Sequence, residues 1–289
     1  MPAIREFLEK NADVKFPPTE NGDFLGVPSL RFAMFEALRQ IGGPDAMSLA
    51  AEVMQTTIRP EEIALLARNL EASAPDQYRD AAVAAARSAL ARATPNMATV
   101  DTSPLFEVLQ KFGGTDVLPD LENVSAKWNY YSPIVLASLP DGAGISSLVR
   151  MAQNVDGTFE GSSRFALRML AEVAPQYPDA AQGLLEQVRN NKVPNSAWLG
   201  IASALGGEQT FYGQGYLNTI VPPAGATEPK TYHLAGSNQN FNSMNVSPTW
   251  TTDQFIKQIA FIDQLRAANP TAATMLENVR AALAARVSQ

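Results

Sequence analysis

One stretch of the chain occurs twice. Phe35-Glu36-Ala37-Leu38-Arg39-Gln40-Ile41-Gly42-Gly43-Pro44-Asp45-Ala46-Met47 aligns without a gap on Phe106-Glu107-Val108-Leu109-Gln110-Lys111-Phe112-Gly113-Gly114-Thr115-Asp116-Val117-Leu118. Both begin Phe-Glu, carry apolar residues at helical spacing, and end in Gly-Gly-x-Asp. A looser copy runs from Leu139 to Ile145, with Leu148, Val149 and Met151 behind it, and another from Ile201 to Gly207. The glycines suit a left-handed helix cap. Pro44 suits the first turn of a following helix, where its missing N–H costs nothing. A helical hairpin of this kind cannot bury its apolar face alone, so recurrence predicts stacked hairpins.

Helical periodicity extends through most of the sequence. Leu30, Met34, Leu38 and Ile41 share one stripe, as do Ile63, Leu66, Ala67 and Leu70 after Arg59-Pro60-Glu61-Glu62. Asp76 to Ala93 is Ala-rich, and a polar break follows from Thr94 to Ser103. Phe211 to Trp250 reads differently: Gly, Pro, Asn, Ser and Thr dominate, as in a long irregular excursion with short extended pieces. Apolar side chains in it, among them Phe211, Tyr216, Ile220, Tyr232, Phe241, Met244 and Trp250, predict that it docks on the helices. Thr251-Thr252-Asp253-Gln254 has capping-box form, and Asn269-Pro270 opens a last helix.

The predicted fold class is all-α, an α-α superhelix of hairpins with a long irregular excursion near the C-terminus. Four segments follow: 1–29, an N-terminal helix and lead-in; 30–207, the repeats; 208–250, the docked excursion; 251–289, a closing hairpin. From Leu30 to Gly207 the chain resembles the HEAT-repeat family, on a helix ending in Leu, Ile or Phe before Gly-Gly, an Asp soon after, and a second amphipathic helix. The resemblance implies an α-solenoid and, as such arrays usually serve, a binding scaffold.

Composition narrows the function classes. No apolar run approaches the roughly 18 to 20 residues of a membrane span. Met1 to Glu6 predicts a charged amphipathic start rather than a secretory leader. The expected compartment is therefore soluble, cytoplasmic or, after removal of a leader, periplasmic. Net charge is −7, with 22 basic residues scattered among 29 acidic ones, which argues against nucleic acid as a partner. There is no cysteine, so disulfides, thiolate catalysis and thiolate metal sites are excluded.

Motifs of catalysis are sparse. His233 is the only histidine, and no Gly-x-Ser-x-Gly elbow stands ready to supply a nucleophile. Gly142-Ala143-Gly144 lacks the third glycine and preceding strand of a dinucleotide loop, and no Gly-Lys-Ser/Thr exists. One histidine without cysteine leaves only carboxylates for a metal, without EF-hand spacing. Glu61 and Glu62 stand where a helix N-terminus favours negative charge. The expectation is no catalytic residue, no metal and no cofactor. Aromatic clusters are the better binding candidates: Trp128 with Tyr131, Tyr212 with Tyr216, and Tyr232 beside His233, together with the amides Asn238 and Asn240. The favoured reading is a non-enzymatic scaffold for a protein or peptide partner. Two alternatives stand beside it: an α/α-type enzyme acting on a glycan or peptidoglycan through carboxylates, and a structural domain of a larger envelope protein.

Overall fold

The computed structural model describes residues 1–19, 22–23, 26–93, 100–124, 130–153, 162–212, 215–217, 221–233 and 239–287. The fold is all-α, with 14 α-helices among the described residues and one three-stranded sheet as its largest β element. The chain divides into two compact units, one of residues 1–113 with 214–219, the other of 114–213 with 220–289. The division falls inside the segment 30–207 that reads in sequence as one array.

The first unit holds α1 (Pro2–Glu9), the two-residue strands β1 (Pro18–Thr19) and β2 (Gly22–Asp23), α2 (Leu30–Ile41), α3 (Gly43–Thr56), α4 (Pro60–Ser73), α5 (Arg79–Ala93) and α6 (Ser103–Phe112). Helix α4 packs on α2, α3, α5 and α6, which is why it is buried nearly all round from Pro60 to Leu70. Phe35 and Phe106 both lie in the core, at 1% and 0% exposure. The Gly-Gly pairs stand at helix ends. Gly42 and Gly43 both take positive φ, 63° and 77°, so α3 restarts at once with Pro44 and Asp45 in its first turn. After α6 only Gly114 is left-handed, and a 3₁₀ turn from Gly114 to Val117 intervenes before the next helix.

A buried ion pair ties α2 to α4. Arg31 and Glu62 are 2% and 0% exposed. The Arg31 Nε and Nη2 donate to the two Glu62 oxygens at 2.8 and 2.9 Å, and Nη1 donates to the Leu8 carbonyl at 3.2 Å. Thr57 Oγ1 and Arg59 Nη1 add bonds of 2.8 and 3.0 Å to the same carboxylate. Glu62 is thus the hub of a network, beyond the dipole role its position suggests.

The second unit holds α7 (Leu118–Val124), α8 (Tyr131–Ser138), α9 (Ile145–Gln153), α10 (Ser162–Val173), α11 (Pro178–Arg189), α12 (Trp198–Leu205), β3 (Glu208–Tyr212), β4 (Lys230–His233), β5 (Asn240–Asn245), α13 (Thr252–Ala268) and α14 (Pro270–Val287). Helix α10 is central, packing on α8, α9, α11 and α12. The capping box at Thr251 is formed, with Gln254 N–H donating to Thr251 Oγ1 and Thr251 N–H to Gln254 Oε1. Helices α13 and α14 pack against each other.

The excursion is more regular than its composition suggests. Its extended pieces pair as an antiparallel sheet in the order β3-β5-β4, so the third Gly-Gly pair, Gly206-Gly207, leads from α12 into a strand and not into a second helix. Tyr232 lies opposite Phe241 in the register, and their rings stack 5.2 Å apart. Phe241 in turn meets Phe165 of α10 edge-on at 5.2 Å. The sheet therefore docks on the helices through one aromatic column.

Candidate functional site

The sequence-predicted residues separate. Tyr131 is fully buried at the start of α8, and its hydroxyl both donates to the Asn240 carbonyl at 2.9 Å and accepts from the Asn240 N–H at 3.1 Å. This pair holds β5 against the helical layer. Tyr232 and His233 are exposed on β4, and Tyr212 ends β3. The sheet thus gathers Tyr131, Tyr232, His233 and Asn240 in one region. Tyr216 belongs to the first unit, where its N–H and that of Leu217 donate to Glu107 Oε2 at 2.7 and 3.0 Å. Burial pushes its phenol up to about 12. Trp128 and Asn238 lie outside the described residues.

A polar cleft of about 410 Å³ opens elsewhere in the second unit. That volume is in the range of small-ligand sites. Three chain regions build it. Glu172, Pro175 and Gln176 come from the end of α10 and the turn after it; Ala204, Gly207, Glu208 and Gln209 from the junction of α12 and β3; and the stretch from β5 into α13 gives Val246 and Trp250 ahead of the helix and Gln254, Lys257 and Gln258 within it. Positions 254, 257 and 258 share a helix face, which aims all three side chains the same way. Gly207 makes the junction. Its φ is +99°, and an added Cβ would stand 2.6 Å from the Cβ of Ser247 and 2.9 Å from its nitrogen. Only glycine lets the chain turn from α12 into β3 so close to Ser247.

Glu172 is the unusual member. It sits in the last turn of α10, at the negative end of the helix dipole, where no basic residue follows. One of its oxygens, Oε1, accepts the Thr210 N–H at 2.9 Å. The other, Oε2, is sheltered from solvent and has no hydrogen-bond partner. Burial pushes its carboxyl up to about 7; the Thr210 bond and the Arg168 charge pull the other way, and Glu208 adds to the rise. Arg168 itself is committed to Thr210 Oγ1 at 3.0 Å and to Glu208 Oε2 at 3.2 Å. Gln258 repeats the pattern. It is 1% exposed, its Nε2 donates to the Leu205 carbonyl at 2.9 Å, and its Oε1 is unpaired.

Chemically, the cleft offers two carboxyl groups, four glutamine amides, one lysine and an indole. Among the described residues, no group of three or more metal-ligating side chains is placed to hold an ion. Trp250 lines the cleft, braced edge-on against Phe255 at 5.5 Å. Sequence reasoning passed over Glu172, Glu208 and Gln258. The one local signal was an acid just before Val173-Ala174-Pro175, where a helix ends and a carboxylate is disfavoured. Compared with known proteins, the chain matches no family model, and no curated protein or solved structure is significantly similar to it.

Proposed function

We propose that the chain is a non-enzymatic binding module, a HEAT-like helical scaffold whose second unit takes a polar segment of a polypeptide partner into the cleft beside Trp250. The observation that carries this reading is one ligand-sized cleft that gathers Glu172, Glu208, Lys257, four glutamines and Trp250. Such a lining offers donors and acceptors to the backbone and polar side chains of a peptide. Trp250 supplies the apolar, rigid contact that anchors peptides. The helices beneath hold these groups in fixed positions, as a recognition site requires.

The test is a peptide-array screen with the whole chain, followed by hydrogen exchange on the best binder. Protection should gather at residues 250–258 and 207–210, and Trp250→Ala should weaken binding by tenfold or more. Protection confined to other surfaces, or unchanged affinity in that variant, sinks the reading.

One observation favours the glycan alternative. Glu172 carries a carboxyl held near neutrality next to a second carboxylate, Glu208, which is the raw material of general acid catalysis. Incubation with chitin and peptidoglycan fragments should then release reducing ends, and Glu172→Gln should abolish the release. No turnover in the unsubstituted chain removes this alternative.

A further inference from the structure

Helix α12 carries no charge on any of its side chains: Trp198-Leu199-Gly200-Ile201-Ala202-Ser203-Ala204-Leu205 offers one hydroxyl and is otherwise apolar or small. A helix that is apolar all round is ordinarily buried all round. This one is not. Trp198, Ile201, Ala204 and Leu205 are buried, while Leu199, on the other side, is 80% exposed. Helix α14 packs beside α12 and is uncharged from Ala281 to Ala285. Between the two runs an open groove of about 500 Å³. Leu199, Ala202 and Ser203 form one wall, and Val279, Ala282 and Leu283 the other. Spacing of i, i+3 and i+4 puts each set on a single helix face. The walls come together at Gly206, where an added Cβ would be 3.7 Å from Val279 Cγ1.

One charge in the groove is unanswered. Arg286 stands one turn beyond Ala282 on the same face of α14. Its guanidinium rests 6.0 Å from the Phe255 ring centroid, and among the described residues it has no ion-pair partner. The acid among the lining residues, Glu208, is already bonded to Arg168 at 3.2 Å. The repeat pattern adds the shape. Gly42-Gly43 and Gly113-Gly114 each lead on to a further helix, α3 and α7, whereas after α12 the chain leaves as β3. We infer that the groove takes an amphipathic helix of a partner protein, with apolar side chains at helical spacing over Leu199, Ala202 and Ala282 and a carboxylate against Arg286. Small side chains on both walls let a third helix approach closely, and apolar anchors at i, i+3, i+4 and i+7 are how a helix lies in a groove. The carboxylate supplies the charge that Arg286 lacks. A second copy of the chain fits poorly, because a closed two-fold contact would lay this concave surface on itself. The groove is a second surface, and the inference stands without the cleft beside Trp250.

The probe is a display library of helical peptides, about 18 residues long so that they hold a helix in isolation, with one face randomised. Binders selected on the whole chain should carry Leu, Ile, Phe or Met at helical spacing with an Asp or Glu alongside, and fluorescence titration should give micromolar affinity. Two variants on opposite walls report the seat. Leu199→Asp and Ala282→Trp should each weaken the best binder tenfold or more while the melting temperature stays within a degree or two, since neither side chain is buried. Arg286→Glu should weaken it severalfold, and lysine in place of the peptide's acid should restore the loss. Binders indifferent to both wall variants, or none that tell the unsubstituted chain from Leu199→Asp, overturn the inference; equal affinity in Arg286→Glu overturns the carboxylate. Self-association that rises with concentration and vanishes in Leu199→Asp would give the groove to a second copy and overturn the partner helix. Trp250→Ala should leave these peptides bound. A peptide lost with Trp250→Ala and kept with Leu199→Asp belongs to the cleft, so failure of the groove and failure of the cleft are read apart.

Discussion

Glu62 in the first unit and Glu172 in the second are treated in opposite ways. Glu62 in the first unit meets a bidentate guanidinium, a second arginine and a hydroxyl, so every lone pair is answered. Glu172 in the second unit meets one backbone N–H and keeps an oxygen bare. The first is what an acid looks like when the fold uses it as a tie. The second is what an acid looks like when the fold carries it as a cost. The partners separate them. Glu107 lies between, half answered by two backbone donors and pushed up to about 7 by burial.

The sharpest way to break this contrast is to take away Arg31. Arg31→Met should leave Glu62 with only the partly exposed Arg59 as counter-charge and cost about 3 to 5 kcal/mol in urea denaturation. A loss below 1 kcal/mol would mean that the network is ornamental and that Glu62 resembles Glu172 after all.

Glu172→Gln should do the reverse. The ordinary carboxyl value is 4.5 and the folded value about 7, so the folded chain holds this proton more tightly than the unfolded chain. The stability linked to it is full below pH 4.5 and is lost as pH rises through about 7. The neutral glutamine should therefore stabilise the protein at pH 8 by up to about 3 kcal/mol and change little at pH 4.5. Destabilisation at pH 8 would show that the bare oxygen has a partner worth more than its burial costs.

Glu107→Gln sharpens the middle case. Its carboxyl titrates in the same direction, but the two N–H bonds favour the charged form and the amide must give up strength in them. The balance should lie within about 1 kcal/mol at pH 8, with faster hydrogen exchange at Tyr216 and Leu217 as the readout. The smallest effect is expected from chelators. The melting temperature should stay within a degree when EDTA is added, and a fall of several degrees would reveal a bound ion that the carboxylates support.

The helices were legible because their signals are local. Phe35 and Phe106, the Gly-Gly stops, the Thr251 box and Pro270 each act within a few residues of themselves, and helix formation depends on neighbours three and four apart. The sheet was half legible. Tyr212 and Tyr232 stood out as aromatic candidates, but the pairing of β5 with β3 joins Tyr212 to Phe241 across a span that no local rule closes. Glu62 was read from its helix position alone, because Arg31 stands on a different helix. The cleft was illegible for the same reason in stronger form. Glu172, Gly207 and Gln258 come from three stretches of chain, and the bare acceptors exist only once all three are packed.

The bonds from Tyr216 and Leu217 to Glu107 bear on how such a protein can evolve. Arrays of hairpins ordinarily lengthen and shorten by whole copies, each duplicate carrying what it needs. Here the first unit borrows residues 214–219 from a stretch about a hundred positions further along the chain. A tandem duplication of residues 1–113 would inherit the buried acid without its donors, and a gene ending at position 113 would do the same. The loan makes the unit an heirloom that passes on whole.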